Sequence, residues 1–264
     1  MSFFSKLTKK ETRELEIVFA GGMGTQIMQA AVYFDHELQN MPVYADLSYF
    51  AKPAHIAQAG VKGALSHWPW QLDQYGLTTA SFKTSTQKYS RLADGEELVG
   101  QAIAALAKPI IRQKFQVKPE EATKFFVPEI TTRALCIHIR RGDYVNVASH
   151  LIADETFASI AKKFSAIANQ AIILSDSPIE GDLKAILGNH FPEIIFLDNI
   201  DPFSSHFIMR HARILICSNS TFSLTAGLLN ESGLVVIPKK WYGDNEKNIE
   251  KRIQEMCEFQ IISI

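Results

Sequence analysis

The stretch Leu135–Val147 reads L-C-I-H-I-R-R-G-D-Y-V-N-V, and the fold turns on it. Leu135, Cys136, Ile137 and Ile139 form an apolar, β-branched run of the kind that makes a buried strand. Two arginines, a glycine and an aspartate follow at once. In an open α/β sheet, ligands sit in the crevice beyond the carboxyl ends of the strands. Arg140 and Arg141 therefore stand where an anion would bind. A guanidinium grips phosphate oxygens with two N–H groups and keeps its proton. The plainer alternative is a solvated turn whose Arg and Asp pair with each other. From these residues alone both readings stay open.

Downstream of this stretch, strands alternate with helices. Apolar runs at Ala171–Leu174, Ile194–Leu197, Ile214–Cys217 and Leu234–Ile237 read as strands. A helix with Phe157, Ile160, Ala161, Phe164 and Ile167 inward follows the first strand, and a short helix ends at Gly188, read as a C-terminal stop. Others span Phe203–Ala212 and run from Ser220 through Leu229. This alternation implies a parallel sheet with helices on both faces. Arg140, Asp176 and Ser220 each follow a strand of that sheet, so they face one crevice. Ser220 and Thr221 open a helix, where free N–H groups suit a phosphate, although a plain N-cap uses the same residues. His138 shares a strand face with Arg140 by period two.

Upstream, Leu15–Ala20 reads as a strand leading into Gly21, Gly22 and Gly24 and then a helix. Ile27, Ala31, Phe34 and Leu38 fall on one face of that helix. This arrangement lets backbone N–H groups approach a phosphate. A dinucleotide fingerprint would carry a third glycine at position 27, which is Ile, but Asp46 ends a second apolar run about 20 residues on, as a ribose-binding acid would. Tyr49–Tyr89 is irregular and holds Trp68, Trp70 and Tyr75, which could stack on sugars or pack inward. Asp94 with Glu97 resembles a capping box before a helix carrying Leu98, Ala102, Ala105 and Leu106 and ending near Pro109. Lys114–Thr132 reads as the linker.

Composition narrows the classes. The chain has 264 residues, 47% of them hydrophobic and 21% charged, and a net charge of −1. No global field therefore points to nucleic acid. Cys136, Cys217 and Cys257 lack metal spacing and imply a reducing compartment, the first two as core residues. No apolar run reaches the roughly 18 residues of a membrane span. Met1–Arg13 mixes Phe3, Phe4 and Leu7 with lysines and reads as a basic tail or a weak interfacial anchor. No metal motif, serine elbow or P-loop is present.

Several motifs resemble those of one family. Gly21-Gly22-Met23-Gly24-Thr25-Gln26 is similar to the glycine loop of bacterial α-1,2-fucosyltransferases. His138-Ile139-Arg140-Arg141-Gly142-Asp143-Tyr144-Val145 resembles their H-x-R-R-x-D motif, shared with protein O-fucosyltransferases and α-1,6-fucosyltransferases. Ser175-Asp176-Ser177, Asn219-Ser220-Thr221-Phe222-Ser223 and Pro238-Lys239-Lys240-Trp241-Tyr242 resemble later motifs in the same order. The resemblance implies a GT-B-type α/β fold of two Rossmann-like domains with parallel sheets facing a cleft. Residues 1–125 would form the acceptor side and 126–264 the GDP-sugar side, with a final helix packing back on the first domain. It implies inverting transfer of L-fucose from GDP-β-L-fucose to a glycan hydroxyl without a metal.

By position, Arg140 would neutralise the β-phosphate of departing GDP, with Ser220 and Thr221 donating further hydrogen bonds. His138 would contact the nucleoside side, and Gly22, Met23 and Gly24 would close over the pyrophosphate. Asp176 and Asn219 complete the donor set, while Arg141 and Asp143 hold the loop. Asp46 and Glu37 are candidates for the base by placement only. Three departures stand out. Thr25 replaces an Asn of the glycine loop, Leu224-Thr225-Ala226-Gly227 lacks the usual tryptophans, and Ser204 or Ser205 replaces a guanine-binding acid for which Asp201 could substitute.

The expected setting is the bacterial cytoplasm, with peripheral contact to the inner membrane and an oligosaccharide or lipid-linked acceptor of a polysaccharide or O-antigen. Two other classes stay open. One is a nicotinamide-dependent oxidoreductase, argued from Gly22-Met23-Gly24 and Asp46. The other is a relative that binds a nucleotide sugar without catalysis.

Overall fold

The computed structural model describes residues 14–55, 66–93, 95–117, 124–146, 151–231, 233–238 and 261–263. Met1–Arg13, Asp94, Cys257 and the Lys239–Tyr242 motif with the helix expected after it lie outside the described residues.

Two parallel sheets organise the chain. In the first, β1 (Leu15–Val18) lies between β2 (Val43–Asp46) and β3 (Ser90–Leu92). α1 (Met23–Leu38) crosses from β1 to β2. α2 (Glu96–Leu106), α3 (Pro109–Arg112) and α4 (Pro128–Thr131) follow β3. The second sheet is built from β4 (Leu135–Ile139), β5 (Gln170–Ser175), β6 (Glu193–Asp198), β7 (Ile214–Ile216), β8 (Leu234–Ile237) and β9 (Ile261–Ser263). Its order is β6-β5-β4-β7-β8-β9, all parallel. The crossovers are α5 (Asp154–Phe164), α6 (Gly181–His190), α7 (Pro202–His211) and α8 (Thr221–Leu229).

Every residue of β4 is buried, because helices cover both sides. Leu135, Ile137 and Ile139 pack with Phe157 of α5 and with Leu183 and Leu187 of α6. Cys136 faces the other way, into a cluster that includes Phe207 and Ile208 of α7 and Leu224 and Leu228 of α8. That second cluster continues without a break into Ile17 of β1, Ile27 of α1 and Ile103 of α2, so the two sheets share one apolar core. Burial pushes the Cys217 thiol up to about 12 and that of Cys136 higher still, which leaves both inert.

Several local expectations change. α1 is buried nearly all round from Met23 to Phe34, not on one face, because it packs against both α2 and α8; Leu38 is exposed. Gly95, at φ 117, is the N-cap residue of α2. α2 ends at Leu106, near Pro109 as expected, and Pro109 then begins the short α3, as its missing N–H allows at a first turn. α6 runs through Gly188 to His190, and Ile167 lies beyond α5 and is exposed. The 114–132 segment is only partly a linker, since Phe115 is fully buried and α4 lies within it. β3 and β9 escaped the sequence reading. Each spans three residues, and Ser90 and Arg91 are exposed, so β3 carries no apolar run to see.

Candidate functional site

A cavity of about 750 Å³ opens beyond the carboxyl ends of β4, β5 and β6. Gly21–Thr25 and Trp68 form one wall, and His138, Arg140, Asp176 and Ser220–Phe222 form the other. The sequence reading placed Gly22, Met23, Gly24, His138, Arg140, Asp176, Ser220 and Thr221 in one site, and all eight line this cavity. Asn219 is buried beside it but is not part of its wall.

Arg140 leaves the end of β4 and pairs through Nη1 with Asp176 Oδ2 at 2.7 Å. The other oxygen of Asp176 accepts Arg141 N–H at 2.8 Å, so one carboxylate holds two consecutive residues of the arginine loop. The turn needs Gly142, whose φ is +28 and where a Cβ would stand 2.2 Å from Asp176 Oδ2. The Tyr144 and Trp68 rings lie 5.1 and 6.0 Å from the Arg140 guanidinium carbon. Arg141 does not line the cavity. It donates to Ile152 O at 3.1 Å, pairs with Asp154 and lies over Phe157. The side chain of Asp143 lies outside the described residues.

His138 is buried, with Nδ1 2.7 Å from Ser218 Oγ. Burial, with the Arg140 charge, lowers its pKa to about 3. His206 of α7 is fully buried between Tyr75 OH at 3.0 Å and Thr225 Oγ1 at 3.1 Å, and burial holds it well below the usual histidine range. Both stay neutral when folded, whereas an unfolded histidine gains a proton near pH 6.5. The unfolded chain therefore binds more protons below that pH, and stability falls as pH drops from about 6.5 toward 3. Unfolding free energies from urea titration should decline through this window by up to about 1.4 kcal/mol per pH unit per histidine, and the midpoints with them. A midpoint that stays level between pH 7 and 5 would contradict this.

Two helix N-termini meet at the cavity. Ser220 caps α8, its Oγ accepting Phe222 N–H at 3.3 Å. The hydroxyls of Thr25 and Thr221 are 3.3 Å apart. Gly24 permits the approach: a Cβ there would lie 2.5 Å from Phe222 N and from Thr221 C. Amide N–H groups and partial positive charge from both helices thus face the space beside Arg140.

Gln26 fastens the remaining wall. Fully buried on α1, it donates to Gly21 O and Pro69 O at 2.8 Å each and accepts Gln71 N–H at 2.9 Å. Gln26→Ala strands these three backbone groups and should cost about 2 kcal/mol of stability, read from urea unfolding. The sequence reading quoted Gln26 in the glycine loop but gave it no role. Its signal was a glutamine in a mostly apolar stretch of helix, where Thr25 and Gln29 are the other polar residues between Met23 and Phe34, since a buried amide must be bonded.

Other candidates lie elsewhere. Asp46 is outside the cavity wall, bonded to Ser48 N–H at 2.9 Å and paired with Arg91. Glu37 sits at the far end of α1, 3.3 Å from Lys83 Nζ. Asp201 caps α7 by accepting Ser204 N–H at 2.8 Å, while Ser205 reaches the cavity. Among the described residues no group of three or more His, Cys, Asp or Glu could hold a metal, and no helix is long and apolar enough to cross a membrane.

No protein-family model matches the chain, and no curated protein matches it. Solved structures of loose likeness include POFUT1 in complex with GDP-fucose, at 12% identity and TM-score 0.46, covering 85% of this chain and 96% of that one. E. coli heptosyltransferase WaaC with ADP has 9% identity and TM-score 0.44, covering 85% and 86%. The bacterial iron-containing dodecameric glycosyltransferase TibC from enterotoxigenic E. coli H10407 has 13% identity and TM-score 0.44, covering 86% and 58%. Likenesses this loose say nothing of the chain's activity.

Proposed function

We propose that this chain is a glycosyltransferase that binds a nucleoside-diphosphate sugar in the cavity and passes the sugar to a hydroxyl of a glycan. The observation that carries the reading is the meeting of Arg140 with the N-termini of α1 and α8 in one cavity. The motif resemblance narrows the donor to GDP-β-L-fucose and the product to an α-1,2-linked galactoside, on a GT-B-type plan divided near residue 125.

In this reading the acceptor hydroxyl attacks C1 of fucose and releases its proton to solvent, the bond from C1 to the β-phosphate oxygen breaks, and GDP departs with the electron pair. Charge grows on the β-phosphate, and a fixed guanidinium stabilises it more in the transition state than in the ground state. Arg140 fills that role without a metal, and Asp176 keeps it oriented. Ser220, Thr221 and the free amides of α8 take the remaining phosphate oxygens. Neutral His138 offers hydrogen bonding without adding charge.

Calorimetric titration with GDP-fucose, GDP and NADH in the presence of EDTA tests the reading, together with GDP release in the presence of galactoside acceptors. Binding of GDP and GDP-fucose is expected. NADH binding without GDP binding would reinstate the oxidoreductase, against which stand the Asp46–Arg91 pair and the use of Gly24 for helix contact. A second reading, donor binding without transfer, is favoured by one fact. Among the described residues lining the cavity Asp176 is the only carboxylate, and Arg140 and Arg141 occupy it. Donor affinity with no GDP release would select it.

A further inference from the structure

Of Trp68, Trp70 and Tyr75 in the irregular 49–89 segment, Trp68 alone lines the cavity. Trp70 donates its indole N–H to Leu77 O at 2.8 Å and packs on the apolar core, and Tyr75 bonds to His206. Trp68 is half-buried and has no place in that core. Its indole lies on the glycine turn, 3.6 Å from where a Cβ of Gly22 would stand. The Arg140 guanidinium carbon is 6.0 Å from the ring centre.

The backbone that carries this ring is held in place from several sides. Trp68 N–H donates to Tyr49 OH at 2.9 Å, and His67 stacks on the Tyr49 ring at 3.9 Å. Gln26 grips Pro69 and Gln71 just beyond. An irregular segment has thus been fixed so that a large flat side chain borders the anion-binding group. Rigid aromatic faces of this kind contribute contact area at little cost in conformational entropy. A deoxyhexose such as fucose presents C–H groups to such a face.

We propose that Trp68 is the platform on which the pyranose ring of the transferred sugar stacks. The inference rests on the glycosyltransferase reading, which puts the sugar-bearing phosphate on Arg140 beside this ring.

The test compares the affinities of GDP and GDP-fucose, by calorimetry, in the wild type, Trp68→Ala and Trp68→Leu. The ratio of the two affinities isolates the contribution of the sugar, and GDP binding reports that each variant is folded. In both variants the ratio should fall about tenfold, the loss expected when an aromatic contact face is removed. The leucine variant keeps apolar bulk at the glycine turn, so a fall there points to the flat ring itself. An unchanged ratio in variants that still bind GDP overturns the platform and leaves the nucleotide site standing. Absence of GDP binding by the wild-type chain overturns the glycosyltransferase reading and the platform with it.

Discussion

Replacing Arg140 with alanine is expected to slow sugar transfer by about 10²–10³-fold, the cost of deleting one preorganised group that meets developing charge. The structure makes the loss larger than the removal of one cation. Asp176 is paired with Arg140 at 2.7 Å, so the substitution leaves a carboxylate facing the space where phosphate must sit. Like charges brought together in a partly buried site repel, and donor affinity should fall along with the rate. Restoring neutrality with Arg140→Ala/Asp176→Asn should recover part of the binding but not the rate, because no group then answers the charge on the leaving phosphate. Arg140→Lys keeps a cation but loses the planar fork, and should fall between. Initial rates of GDP release and calorimetric affinities measured side by side separate these effects. Near wild-type transfer by Arg140→Ala would end the proposed mechanism.

Gly24→Ala is expected to be the most damaging single-methyl change in the site. The added Cβ would stand 2.5 Å from Phe222 N and Thr221 C, and both are backbone atoms that no rotamer change can move. α1 or α8 would have to shift bodily. Overpacking of a tight helix contact costs about 3 kcal/mol, and the shift would also part the Thr25 and Thr221 hydroxyls. Urea unfolding should show the loss of stability, and GDP titration should show weakened binding in the fraction that stays folded. A Gly24→Ala protein matching the wild type in both would mean that the two helices are not in contact in solution.

Much of this was legible because it rests on short-range rules. An apolar run ending in Arg-Arg-Gly-Asp announces a strand end with a charged turn, and Ser-Asn-Ser-Thr before an apolar stretch announces a capped helix. Placing Arg140, Asp176 and Ser220 in one crevice needed only the parallel order of their strands. What stayed hidden depends on partners distant in sequence. β3 carries two exposed residues and is a strand only because β1 supplies its hydrogen bonds. α1 read as one-sided, since nothing local says that α8 will cover its other face. Asp46 looked like a ligand acid from spacing, yet Arg91, a neighbour only across the sheet, takes it. The role of Gln26, and the choice between stacking and packing for Trp68, stayed open for the same reason, as the contacts that decide them join residues 26, 49 and 68–71.

The contact between Thr25 and Thr221 spans 196 positions of the chain. Closing so long a loop carries an entropic cost that must be met before any local reward appears, and such distant pairings slow folding. Each sheet can gather its own strands from nearer neighbours, but the cavity exists only once both have formed and docked. A ligand that bridges its two walls would favour the docked state by mass action, so the donor nucleotide would act during folding as the final clasp as well as the substrate.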